Sequence, residues 1–226
     1  MNVFLIYAHP EPRSFNGALK DLAVEVLTQA GHTVRVSDLY QMKFKAVADQ
    51  DDFTVLTNPD HFSYAREQHA AVIQQTFSPD IVEEQEKVDW ADFLLFQYPL
   101  WWTDPPAIVK GWFDRVFAKG FAYGNGRHYE QGLLKGKRAM LTITTGGGPE
   151  DYGETLMKGT LRERLFNVQH EKLFYCGIDV LEPFMAWGPE WIGDKGRQDV
   201  LVAYKDRLLQ IPTAQGMFFT SGVGSV

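Results

Sequence analysis

The segment Asn2 to Ala8 (NVFLIYA) is apolar at almost every position, Phe93 to Phe96 is a second apolar run, and Arg138 to Thr144 (RAMLTIT) and Ile178 to Ala186 predict two further strands. A strand with no polar alternation is buried on both faces, the condition of a parallel sheet covered by helices. Between these runs the apolar positions recur at helical spacing. Phe15, Leu19, Leu22, Ala23, Val26 and Leu27 predict a first helix, with Ser14 as N-cap and Gly31 just past its end. His32 to Asp38 (HTVRVSD) predicts the second strand, and residues 64–76 and 79–89 predict two short helices. A further helix starts at Asp104 with Pro105 and Pro106 in its first turn, and carries an apolar stripe of Ile108, Val109, Trp112, Phe113, Val116 and Phe117. Helices are also expected over roughly Thr155 to Phe174 and over Gly196 to Ile211. Residues 40–64 and 120–136 lose periodicity and predict long connections. Strands alternating with helices in this way predict an α/β fold: a doubly wound, five-stranded parallel sheet in the order 2-1-3-4-5, with helices on both faces. Ligands of such sheets bind beyond the carboxyl ends of the strands, where the loops after strands 1, 3 and 4 converge.

The chain has 226 residues, 45% of them hydrophobic, with no break in composition. One domain over 1–211 is therefore expected, followed by a Gly- and Ser-containing tail over 212–226. A net charge of −7 argues against a nucleic-acid or anionic-membrane partner, which would need clustered Lys and Arg. Cys176 is the only cysteine and cannot form an internal disulfide, and the chain opens on a strand with no leader pattern. A cytoplasmic location follows as an expectation. No apolar run approaches the ~20 residues that cross a bilayer, so no membrane insertion is expected.

Three loops carry candidate chemistry. The first, Ala8 to Asn16 (AHPEPRSFN), leads into a helix N-terminus, where free N–H groups favour an anion. His9, Arg13, Ser14 and Asn16 add side-chain donors suited to phosphate, although Ser14 as a plain cap and His9 as a turn residue fit the same pattern. Neither G-x-G-x-x-G nor G-x-x-x-x-G-K-[ST] is present, so a dinucleotide Rossmann site and a P-loop are not indicated. The second loop places Trp101 and Trp102 between Pro99-Leu100 and Thr103, offering flat apolar walls to a planar ring. Adjacent side chains of extended backbone point to opposite sides, so at least one of these indoles is expected to face a ligand. The third loop, Thr144-Thr145-Gly146-Gly147-Gly148, has glycines that let backbone amides approach a ligand, with Tyr152 at its exit. Together the loops read as a flavin cradle. The histidines are too scattered for a metal site, and no nucleophile elbow or zinc-protease motif occurs.

Over Asn2 to about Leu209 the sequence resembles the flavodoxin-like NAD(P)H:quinone acceptor oxidoreductases of the DT-diaphorase type. The resemblance is carried by AHPEPRSFN at 8–16, SDLYQMKF at 37–44, SPDIVEEQ at 78–85, FQYPLWWTDPPAIVKGWFDRVF at 96–117, FAY at 121–123, ITTGGG at 143–148 and CGIDVLEP at 176–183. It implies a homodimer holding a flavin, FAD with FMN as the alternative, at each subunit interface, reduced by NAD(P)H. By this resemblance His9, Phe15, Asn16 and Ala18 meet the diphosphate and its flanks. Pro99, Leu100, Trp101, Trp102 and Thr103 wall the isoalloxazine, while Thr144, Thr145, Gly146, Gly147 and Tyr152 meet its polar edge. Arg197 and Leu201 fall at the adenine end. Trp102, Thr103, Tyr123, Asn125 and Tyr175 are expected around the substrate, with Tyr123 and Phe62-Ser63-Tyr64 reaching a partner's site.

Several positions depart from the family pattern. Arg13 stands where a small hydroxyl residue is usual, Thr103 replaces a phenylalanine, Asn125 replaces a second pocket tyrosine, and Lys158 replaces the catalytic histidine that follows Tyr152. The expected activity is a two-electron, ping-pong quinone reductase in which Tyr152 and Lys158 stabilise charge on the reduced ring. A flavin-bound ancillary subunit of a membrane transport system and a flavodoxin-like electron carrier are the alternatives, and azo or nitro compounds are further possible acceptors.

Overall fold

The computed structural model describes residues 1–156 and 158–219. Residues 220–226, part of the expected tail, lie outside the described residues. The chain alternates β1 (Asn2–Tyr7), α1 (Phe15–Gln29), β2 (Thr33–Asp38), α2 (Tyr64–Gln74), α3 (Pro79–Trp90), β3 (Phe93–Pro99), α4 (Ala107–Val116), β4 (Arg138–Thr144), α5 (Leu161–Val168), β5 (Asp179–Val180), β6 (Phe184–Ala186) and α6 (Gly193–Gln210). All strand pairs are parallel in the order β2-β1-β3-β4-β5, as the alternation predicts.

The fifth expected strand is the point of difference. Both β5 and β6 pair with β4, so the run 178–186 is two short strands and the sheet has six among the described residues. Pro183 lies between them and has no N–H to offer β4, which interrupts the ladder.

One face of the sheet packs Val3, Leu5, Leu95 and Met140 against Leu19, Ala23 and Leu27 of α1 and Tyr204 and Leu208 of α6. The other packs Phe4, Leu94, Phe96 and Leu141 against α3, α4 and α5. There Phe113 stacks on Phe96 with ring centroids 5.0 Å apart, and the predicted stripe of α4 is buried except for the half-exposed Ile108.

Helix ends follow local chemistry. Ser14 caps α1 by accepting from the Gly17 N–H, and at the other end Gly31 sits at φ +83° while His32 N–H returns to the Leu27 carbonyl. The start of α4 differs from expectation: Pro106 is its N-cap, and Asp104 and Pro105 lie before the helix. A residue preceding proline avoids the helical region, so two successive prolines hold both residues outside it. Helix α5 begins at Leu161, six residues later than expected, because Thr160 and Glu163 form a capping box directly after Gly159 at φ +64°. It continues as a π turn over 169–173 and a 3-10 turn over 174–176. The tail is also more than a tail over its first part: Gly216 bridges Leu181, Met217 N–H bonds the Val180 carbonyl, and Arg138 holds the carbonyls of Ile211 and Ala214.

Candidate functional site

Three backbone links draw the loops together at the carboxyl edge. Ala8 N–H bonds the Gln97 carbonyl at 3.0 Å, Leu100 N–H the Thr144 carbonyl at 2.8 Å, and Thr145 N–H the Ala186 carbonyl at 3.2 Å. The loops after β1, β3, β4 and β6 thereby enclose a cavity of about 790 Å³. His9, Ser14, Phe15, Asn16, Pro99, Leu100, Trp101, Trp102, Thr144, Thr145, Gly146 and Arg197 all line it, so one cleft gathers most of the residues expected from sequence.

The α1 end is built for an oxyanion. The backbone N–H groups of Phe15 and Asn16 lie in the helix's first turn, where no intrahelical acceptor exists. Gly17 permits the tight entry, since a Cβ there would stand 1.9 Å from the Pro12 carbonyl oxygen. The Nδ1 of His9 lies 3.1 Å from the Glu11 backbone nitrogen. It also lies 3.0 Å from the Glu11 carbonyl oxygen, so both backbone groups of Glu11 meet Nδ1, and Nε2 is the ring nitrogen left for a ligand. Asn16 is 2% exposed. Its Nδ2 donates to Thr144 Oγ1, while its buried Oδ1 has no partner in the protein. A buried unpaired acceptor is costly, and a hydroxyl-bearing ligand seated against Asn16 would relieve it.

Arg13 is not part of this cleft. It is highly exposed and spends its guanidinium on Glu11, whose carboxyl is held below its ordinary range by bonds from the Arg13 backbone N–H and side chain. Ala18 is exposed a turn further along α1, and Leu201 packs into the α1–α6 core, so neither lines the cavity.

At the opposite wall, Trp101 is 42% exposed with its ring 6.5 Å from that of His9, and Trp102 is 98% exposed. The extended backbone assumed from sequence is absent. Trp101 and Asp104 exchange both backbone hydrogen bonds, and Trp102 and Thr103 between them have φ of 53° and 62°. That is a type I′ hairpin turn; Trp102 lines the cavity, whereas Thr103 does not, and its hydroxyl donates to the Trp102 carbonyl.

In the third loop Thr145 Oγ1 donates to the Gly147 carbonyl, and Trp191 Nε1 donates to the Gly146 carbonyl. Tyr152 lies with its ring 5.5 Å from Trp187. Lys158 pairs with Asp151 at 2.6 Å and stands 5.4 Å over the Tyr152 ring, and the Asp151 contact raises its pKa. Tyr152, Lys158 and Gly147 do not line the cleft.

The expected substrate residues separate. Tyr123 and Tyr175, ring centroids 5.5 Å apart, line a second cavity of about 660 Å³ with Phe62, Tyr64, Phe113 and Lys172. Asn125 lines neither. It occupies the exposed turn between Gly124 and Arg127 at φ 54°, followed by Gly126 at φ 75°, so turn geometry accounts for this Asn-Gly pair. Glu11, Pro189 and Glu190 line the first cavity and were missed from sequence. Glu11 sits within a loop already singled out, whereas Pro189 and Glu190 follow β6 and carried no signal in the sequence. No cluster able to hold a metal ion occurs among the described residues, and no helix there is long and apolar enough to cross a membrane.

A family model described as a flavodoxin-like fold matches residues 1–211. The human ribosyldihydronicotinamide dehydrogenase [quinone] is 45% identical over 210 residues, covering 92% of this chain and 91% of its own. The guinea-pig NAD(P)H dehydrogenase [quinone] 1 is 42% identical over 216 residues, covering 95% and 78%. Among solved structures, a Klebsiella pneumoniae protein assigned as a quinone reductase superposes with a TM-score of 0.94 at 44% identity, over 97% of this chain and 88% of that one.

Proposed function

We propose, for a chain that belongs to the flavodoxin-like family of NAD(P)H:quinone acceptor oxidoreductases, that it is a flavin-dependent NAD(P)H:quinone oxidoreductase built as a homodimer. The observation that carries this reading is the 790 Å³ cleft, in which a helix N-terminus, a buried unpaired acceptor on Asn16 and an aromatic wall meet. The residues fit a flavin dinucleotide. His9 and the first-turn N–H groups of α1 would hold phosphate oxygens, Leu100 and Trp101 would flank the ring, and Thr144 to Gly146 would meet its polar edge. Arg197, held by the Pro189 carbonyl and Asp194, extends the cleft beyond what a single phosphate needs and favours FAD over FMN.

A bound flavin would supply two-electron hydride chemistry, and the reaction is read as ping-pong, with a reduced nicotinamide as donor and a quinone as acceptor. The chain's part is to stack both ligands in turn on the open face and to exclude water. Tyr152 would donate its hydroxyl proton toward the pyrimidine edge, with the Lys158 ammonium above its ring adding positive potential. Trp102 and Thr103 would meet the substrate from one chain, and Tyr123 and Tyr175 from its partner. The relatives name two donors, ribosyldihydronicotinamide and NAD(P)H. NAD(P)H is the donor proposed here, and the cytoplasm the location.

Purified protein should carry or take up one flavin per chain, and turnover with a small quinone should follow addition of NADH, NADPH or dihydronicotinamide riboside. A bound flavin that none of the three reduces would favour the electron-carrier or ancillary-subunit reading. Absence of any flavin binding would remove the proposal.

A further inference from the structure

Strand β3 is buried at every position, and its sequence FLLFQYP holds one amide, Gln97, where the neighbouring inward positions carry Phe93 and Leu95. Gln97 is 0% exposed. An apolar side chain there would avoid the cost of desolvating a carboxamide, so the amide calls for an account beyond packing. Gln97 pairs in register with Tyr7 on β1 and Thr142 on β4. Its Nε2 donates to the backbone carbonyl of Asn16 in the first turn of α1. Its Oε1 receives the Tyr204 hydroxyl of α6 at 3.4 Å, and that hydroxyl accepts from Thr142 Oγ1 at 3.0 Å. From the other side, Asn16 Nδ2 grips Thr144 Oγ1. The first turn of α1 is thus fixed through directional bonds to β3, β4 and α6, beneath the cleft that Asn16 and Thr144 line.

We infer that Gln97, backed by Tyr204, is a positioning residue for the flavin site: its bond to the Asn16 carbonyl sets where the Asn16 side chain stands, and so sets flavin affinity through that side chain. The inference rests on the flavin reading above. Neither Gln97 nor Tyr204 lines the cleft, so any effect on the ligand must pass through a residue that does.

A double-mutant cycle on flavin binding tests this. FAD is titrated into flavin-free protein and followed by fluorescence quenching, for wild type, Gln97→Met, Asn16→Ala and the double variant, each with near-UV circular dichroism as a check of packing. Loss of one buried hydrogen-bond constraint should weaken FAD binding by about tenfold in Gln97→Met. In the Asn16→Ala background, which keeps the carbonyl that Gln97 holds but removes the side chain it positions, the same change should cost less than about twofold. An equal loss in both backgrounds would make Gln97 a structural core residue and overturn the inference, as would an unchanged affinity in the single variant. Tyr204→Phe keeps the Gln97–Asn16 bond and nearly all the volume, so it carries the same cycle if Gln97→Met does not fold; a smaller loss that again vanishes with Asn16→Ala is expected. Wild-type protein that binds no FAD would overturn the flavin reading itself, an outcome distinct from additive losses in a protein that does bind it.

Discussion

Two neighbouring loops use the same backbone turn with opposite residue choices. Asn125-Gly126 adopts the type I′ geometry with residues that suit it, whereas Trp102-Thr103 adopts it with an aromatic and a β-branched residue. Each of the latter costs on the order of 1–2 kcal/mol in the left-handed region. Strain kept at the rim of a ligand cleft fits retention for function. Thr103→Gly should therefore raise unfolding stability by about 1 kcal/mol, while lowering kcat/KM for quinones. Urea denaturation and steady-state kinetics would check the two signs. The cleft-lining residues of the three loops were legible because glycine, tryptophan and helix-cap chemistry is local. Arg13 misled, since nothing in its neighbourhood distinguishes a phosphate ligand from an ion pair with Glu11. For Lys158, the Asp151 contact raises an already high pKa, so its charge is constant between pH 6 and 8. Flavin reduction should be nearly flat across that range. Because Asp151 already pairs with the ammonium, Lys158→Ala should slow reduction less than Tyr152→Phe in stopped-flow measurements.

At the scale of elements, the connection over 40–63 shows what periodicity could not supply. It is held by a buried charge cluster: Arg115 reaches Asp52 at 2.9 Å, Asp80 at 2.7 Å and the Lys45 carbonyl, while Lys45 and the Tyr64 hydroxyl also meet Asp52. Burial pushes the Asp80 carboxyl up, but Arg115, the Ser78 hydroxyl and the Ile81 N–H together leave its pKa below the ordinary value. Such long-range partners leave no trace at fixed spacing in a sequence, whereas helices and parallel strands do. Arg115 and Asp52 are almost wholly buried. Arg115→Met would leave the buried Asp52 carboxylate with only Lys45 and the Tyr64 hydroxyl, and should cost toward the lower end of about 3–5 kcal/mol. Gly111 lets α4 touch this connection directly, for a Cβ would lie 2.1 Å from the Ala46 carbonyl oxygen. Gly111→Ala should destabilise by roughly 1–3 kcal/mol, read from denaturant midpoints. The split of the last strand and the late start of α5 were read less well, because one proline and one glycine in those segments outweighed the apolar pattern.

Across the whole molecule, burial raises the Tyr7 phenol and the Cys176 thiol, each to about 12. Both groups bind protons more tightly in the folded chain, so their contribution is complete below their unfolded pKa values near 9 to 10 and is lost as pH rises toward 12. Stability should fall between pH 9 and 11, and Cys176 should resist alkylation in native protein at pH 8. Trp102 at 98% exposure and the separate Tyr123–Tyr175 cavity fit a second chain completing the site. Light scattering should accordingly give twice the 25.7 kDa chain mass. The central claim is that this cleft holds a flavin that cycles between a reduced nicotinamide and a quinone. Anaerobic stopped-flow absorbance on flavin-loaded protein tests it directly. The account predicts full bleaching of the flavin band on mixing with NADH or NADPH, and full recovery when a quinone is then mixed with the reduced protein. A flavin band that neither donor bleaches, or that bleaches and is not restored by any quinone, would contradict it.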